Sequence, residues 1–160
     1  MTAGIEQLIA DLEHRAKTDD PSVLTEATKL VAEFPLEPKV WSLRAYIFAR
    51  MGNIANAVSD LTRTIDLASP EPAHFFDRGR YRLNLGDAPG AAADFSRGIE
   101  LCNEYGNDYY RESLHFMRAE ALVKAGNRRG ALADLKQVRD GFTLWTTELR
   151  SKEALLAECR

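Results

Sequence analysis

Apolar and polar positions along this chain alternate with helical period from near its start to near its end. Ile5, Leu8, Ile9 and Leu12 fall at i, i+3, i+4 and i+7, the stripe of an amphipathic helix. Asp20-Pro21 reads as a helix start, with Asp as cap and Pro in the first turn. Val23, Ala27, Leu30 and Val31 then carry a second stripe, which stops by Phe34-Pro35 because the residue before a proline is pushed out of the helical region. Trp41, Ala45 and Phe48 share the next face, Gly52-Asn53 interrupts it, and Ala57, Leu61 and Ile65 continue it. The same figure returns as Phe75, Gly79, Gly86-Asp87, Ala91, Phe95 and Ile99. It returns again as His115, Ala119, Leu122, Gly126-Asn127, Ala131, Leu135 and Val138. In each interruption Gly supplies a left-handed turn at a helix end, and Asn or Asp caps the helix that follows. The pattern predicts helix pairs over roughly 38–67, 72–104 and 108–139, with no strand of four or more residues across 38–139.

These three pairs are copies. Ala45, Gly52, Ala57 and Asp60 superimpose on Gly79, Gly86, Ala91 and Asp94 with a displacement of 34 residues, and on Ala119, Gly126, Ala131 and Asp134 after a further 40. A fixed period of this size marks a solenoid, in which each unit buries its apolar face only by stacking on the next. The recurring small residues let antiparallel helices approach closely while larger ones fill the grooves beside them.

On these residues the chain resembles the tetratricopeptide-repeat (TPR) family. Trp41, Ala45, Phe48, Ala57 and Leu61 match its pattern, as do Phe75, Gly79, Ala91 and Phe95, and then Ala119, Leu122, Ala131 and Leu135. The departures are Arg82 and His115, each where a large apolar residue is usual, and Thr64 and Val138, where a small one is usual. Tyr81 or Leu83 is expected to fill the space that Arg82 leaves. The resemblance covers roughly 38–139 and implies an all-α, right-handed TPR-like solenoid of about three helix-pair repeats. The implied division is one domain over 1–160: a degenerate repeat or cap at 1–37, repeats at 38–71, 72–111 and 112–141, and a capping helix at 142–160. That last helix is expected to be capped by Thr146 or Thr147 and to run to about Cys159, with Trp145, Leu149, Leu155 and Leu156 covering the end of the array. The six residues added before the third copy lie within 102–111. Tyr105, Tyr109 and Tyr110 there are either packing residues of an extended helix or an aromatic lip.

One polar pattern tracks the fold. Arg44, Arg78 and Arg118 occupy one position of the repeat, and Asp60, Asp94 and Asp134 another that lies opposite in a closed helix pair. They are expected to form an Arg–Asp ladder of architectural purpose, since the guanidinium fork matches a carboxylate with two hydrogen bonds.

By resemblance, the first helix of each pair lines a concave groove. The groove residues are Lys39, Tyr46 and Arg50, then Phe76, Asp77, Arg80 and Asn84, then Phe116, Met117, Glu120 and Lys124. Tyr46, Phe76, Phe116 and Met117 are expected as exposed anchors, with Arg50, Arg80 and Lys124 for orientation. The subgroup that clamps chaperone C-terminal carboxylates needs Lys, Asn and Arg where this chain has Ser42, Tyr46, Asp77, Ser113 and Met117, so that function is not expected.

Composition adds exclusions. A formal charge of −3 gives no general attraction to polyanions, so no nucleic-acid partner is expected. The first residues show no basic-then-apolar secretory pattern, and no apolar stretch is long enough for a membrane span. Two cysteines, Cys102 and Cys159, make no disulfide framework and suit a reduced, cytoplasmic protein. His14, His74 and His115 are scattered without metal-ligand spacing, there is no phosphate loop, and no nucleophile has a companion His and Asp. The expectation is a non-catalytic protein without metal or cofactor, monomeric or weakly dimeric, binding a peptide or helix of another protein as an adaptor, chaperone or immunity-type module. The alternative is a sensor module that takes a small ligand in the same cavity.

Overall fold

The computed structural model describes residues 3–18, 20–106, 108–145 and 148–160. The chain divides into two compact units, Met1–Ser69 and Pro70–Arg160.

Among the described residues the first unit holds four helices: α1 (Ala3–Ala16), α2 (Val23–Glu33), α3 (Pro38–Arg50) and α4 (Ile54–Leu67). Ile5, Ile9, Leu12 and Ala16 of α1 meet Val23, Ala27, Leu30 and Val31 of α2 and Val40, Leu43 and Ile47 of α3 in one core. Leu8, placed on that stripe by period, is half exposed. The other face of α3 packs on α4 through the small residues Ala45 and Ala57 and the larger Leu61. Helix α2 starts at Val23, later than Asp20-Pro21 suggests. Asp20 instead accepts hydrogen bonds from the Ser22 N–H (2.9 Å) and hydroxyl (2.7 Å), and so shapes the turn before the helix. Arg15 ties that turn down, donating to Asp11, Asp20, Ser22 and Glu26. Between α3 and α4 the chain turns at Gly52, whose φ of 77° lies in the left-handed region, and the Asn53 side chain accepts from the Asn56 N–H.

The second unit comprises α5 (Pro72–Asn84), α6 (Ala88–Tyr105), α7 (Arg111–Lys124) and α8 (Arg128–Leu135). These are followed by a small antiparallel hairpin of β1 (Thr143–Trp145) and β2 (Leu149–Ser151) and by α9 (Lys152–Glu158). Helix α6 has 18 residues against 14 in α4, so most of the insertion lengthens this helix. Helix α8 ends at Leu135, short of the expected 139, although Val138 still reaches the core. All regular structure among the described residues of 38–139 is helical.

The C-terminal segment differs from a plain capping helix. Thr146 and Thr147 lie outside the described residues, and the helix is capped by Ser151, whose hydroxyl accepts from the Ala154 N–H at 3.1 Å. Leu149 stands on β2 opposite Trp145, and both are exposed, Trp145 at 68%. Phe142, Leu155 and Cys159 do the covering, joining Phe95, Leu114, Phe116 and Met117 in one core.

Repeat two shows how the small and large positions trade volume. A Cβ on Gly79 would lie 2.6 Å from Cε1 of Phe95, a ring with no exposure. Where the equivalent of Phe95 is Leu61 or Leu135, the equivalent of Gly79 is Ala45 or Ala119. Ala would gain about 1 kcal/mol of helix propensity over Gly, whereas overpacking a rigid core costs about 1–3 kcal/mol. Gly79→Ala is therefore expected to lower stability in denaturant melts, and adding Phe95→Leu to restore part of it. Additive losses in the double variant would show that the two positions do not trade volume.

Candidate functional site

The Arg–Asp ladder forms in all three pairs. Arg44 Nε and Nη2 donate to Asp60 at 2.7 and 2.9 Å. Arg78 donates to Asp94 at 3.0 and 2.6 Å, and Arg118 to Asp134 at 2.8 and 2.6 Å. The aspartates are buried, and ring faces cover two of the guanidinium groups: Trp41 and Phe48 lie over Arg44 and Phe75 over Arg78. Both polar departures from the repeat pattern join the ladder. Arg82 Nη1 donates to Asp94 at 2.9 Å and to the Gly90 carbonyl, and His115 Nδ1 donates to Asp134 at 2.8 Å. Burial works against ionisation of Asp134, but hydrogen bonds from Arg118 and His115 outweigh it and hold its pKa below the ordinary carboxylate value. These groups are mutually satisfied and serve the repeat.

The predicted groove residues separate into three situations. In the first unit, Lys39 is exposed and pairs with Glu6 of α1 at 3.2 Å, and Tyr46 is half-buried against the core. Arg50 lines a cavity of about 300 Å³ with Ala16, Asp20, Pro21, Val23, Ile47 and Met51.

In the second unit, the residues expected from α7 are mostly covered. Phe116 and Met117 have no exposure, and Phe116 lies 5.1 Å from the Phe142 ring. The expectation of an exposed Phe116 fails because the C-terminal segment packs over it. Glu120 is buried too. Its Oε2 has no hydrogen-bond partner among the described residues, and Lys124 Nζ, exposed, reaches Oε1 only at 3.9 Å. Burial pushes the Glu120 pKa up against Arg150 of β2 and Lys124, helped by Glu158 of α9 and Glu148. A carboxyl raised in the folded state lends stability below its unfolded pKa, about 4.3. That stability is lost as pH rises through the folded value. Glu120→Gln is expected to melt higher than the parent at neutral pH and together with it near pH 4. Equal shifts at both pH values would show that the carboxyl is not the cause.

The third situation is the face of α5. Phe76, Asp77 and Arg80 are half-exposed and Asn84 is exposed. Phe76 rests on Phe95 and on Tyr110, whose ring centroid is 5.6 Å away. Tyr109, 82% exposed, meets Tyr110 edge-on at 4.9 Å. Within the inserted segment Tyr110 packs, while Tyr109 and Tyr105 stay exposed. Tyr110 belongs to this face and was not singled out as a groove residue, since its position depends on where the insertion docks. Arg80 lies over Phe76 and Tyr81 and 3.5 Å from Asp77. Burial raises the Asp77 pKa, with Arg80 and His74 opposing.

Among the described residues no group of three or more His, Cys, Asp or Glu could hold a metal ion, and no helix is long and apolar enough to cross a membrane. No family model matches the sequence. Solved structures do match the fold. The MamA protein superimposes with a TM-score of 0.71 at 14% identity, over 82% of this chain and 69% of that one. The C-terminal part of a TPR repeat-containing protein from Cytophaga hutchinsonii gives 0.65 at 16% identity, over 83% of this chain and 50% of that one. With helix pairs, turns and Arg–Asp ladder repeated in register, this chain has the all-α fold of tetratricopeptide-repeat proteins.

Proposed function

We propose that this chain is a non-catalytic protein-interaction module that holds a peptide or helical segment of another protein, in an adaptor, chaperone or immunity-type role. The observation that carries the reading is the α5 face: a half-exposed Phe76 and Tyr110 beside an exposed Tyr109, with Asp77, Arg80 and Asn84 among them. Large rings left in water beside polar groups normally mark an interaction site. Phe116, Met117 and Glu120 drop out of the contact surface because they are buried. Tyr46 and Arg50 of α3 are proposed as contacts of the same kind in the first unit. The expected setting is cytoplasmic, with neither nucleic acid nor membrane as partner, and the protein monomeric or weakly dimeric.

Affinity capture from the source organism tests this, comparing the full chain with a Phe76→Ala/Tyr109→Ala variant whose melting temperature is checked first. A polypeptide retained by the parent and lost by the variant is expected; equal retention would remove this face from the proposal. A second reading, a sensor for a small ligand, draws on the 300 Å³ cavity beside Arg50, the smallest size usual for ligand sites. A small molecule that stays bound in native mass spectrometry, with no polypeptide captured, would favour it.

A further inference from the structure

We infer that the α5 face is built to accept a cationic side chain, a lysine or arginine of a partner polypeptide, between the Asp77 carboxylate and the rings of Phe76 and Tyr110. This inference rests on the interaction reading above and names the chemistry of the partner. Three observations carry it. A carboxylate beside aromatic faces is the arrangement that attracts ammonium and guanidinium groups, through the ring quadrupole and direct charge. The Phe76 and Tyr110 centroids lie 5.6 Å apart with Phe76 against the buried Phe95, and the Asp77 charge acts on Tyr110.

The second observation is that one cation already tests the chemistry. Arg80 lies over Phe76 with its guanidinium carbon 6.0 Å from the ring centroid, and 3.5 Å from Asp77. It is a poor occupant. The contact with Asp77 is long, both side chains are at least about a third exposed, and Arg80 Nε is buried with no hydrogen-bond partner among the described residues. Such an i,i+3 surface pair contributes little and is easily exchanged. Arg80 also lies over Tyr81 at 5.3 Å, a second ring face that can keep it when Asp77 is taken.

The third is charge balance. Asp77 faces Arg80 and His74 from its own helix, and Tyr110 feels both Asp77 and Glu71. Partial burial raises the Asp77 pKa, and its neighbours on the helix do not cancel that shift. Tyr110, raised as well, remains a neutral ring. An incoming cation is attracted by Asp77, and an incoming carboxylate is repelled by it.

A phage-displayed random peptide library selected on the full chain tests this, with the near-isosteric Asp77→Asn and the charge-removing Arg80→Gln as surface variants. Enriched peptides should carry Lys or Arg next to an apolar residue. Asp77→Asn should weaken them roughly tenfold, and Arg80→Gln should tighten them because a competing cation is gone. Enriched peptides that are acidic or uncharged and still require Phe76, or that bind no more tightly to Arg80→Gln, overturn the inference and leave the interaction reading standing. Peptides that bind a Phe76→Ala/Tyr109→Ala variant unchanged, or no enrichment, overturn both.

Discussion

Phe116→Ala should lower the stability of the protein by about 3–5 kcal/mol, the range for deleting a fully buried aromatic ring. The ring has no exposure, sits in the largest core cluster and meets Phe142 at 5.1 Å. Neighbours on several elements hold the space open, since Leu114, Met117, Phe142 and Leu155 all belong to the same cluster. Relaxation into the cavity would mean moving the C-terminal segment, which is pinned elsewhere. Lys152 Nζ donates to the Val138 carbonyl and to Asp140, and Glu153 accepts from the Gly141 N–H. The measurement is a denaturant melt. A change below about 1 kcal/mol, typical of a surface substitution, would show that Phe116 lies in an open groove after all. Phe116→Leu, which keeps most of the volume, should lose much less.

Asp94→Ala should cost about 3–5 kcal/mol for a different reason, the loss of one partner from a buried ion pair. The Asp94 side chain is 4% exposed and receives three charge-assisted hydrogen bonds, two from Arg78 and one from Arg82. Removing the carboxylate takes two charge-assisted bonds from Arg78, which is only 12% exposed and lies beneath the Phe75 ring. Arg82 is 26% exposed and can turn toward water and Asp87, so Arg82→Leu should be far milder. The pair of variants separates the two arginines. If Arg82→Leu were as damaging as Asp94→Ala, the second guanidinium and not the repeat-wide pair would be the main support. Asp60 receives its two bonds from Arg44, so Asp60→Ala gives the one-arginine comparison.

The sequence by itself determined the local and repeated features. Helix period, turn glycines and capping Asn or Asp fix each pair through contacts close in the chain. The Arg–Asp ladder was legible because its members are always 16 residues apart, a separation set by one helix hairpin. The same logic made Gly79 readable as a small position, although not why repeat two needs glycine where its neighbours keep alanine. That followed from Phe95, whose ring takes the space of a Cβ.

Only the tertiary structure decided which faces stay open. A helical stripe says which residues lie together, and nothing about what arrives from far along the chain to cover them. Phe116, Met117 and Glu120 read as a groove until Phe142, β2 and α9 are placed beside them. Arg82 and His115 were visible as departures from the repeat, but their destinations on Asp94 and Asp134 depend on side-chain reach across a packed pair. Tyr110 became part of the α5 face because the lengthened α6 returns the chain there. Non-local packing of this kind leaves no periodic signal in the sequence, because its partners share neither a helix nor a repeat.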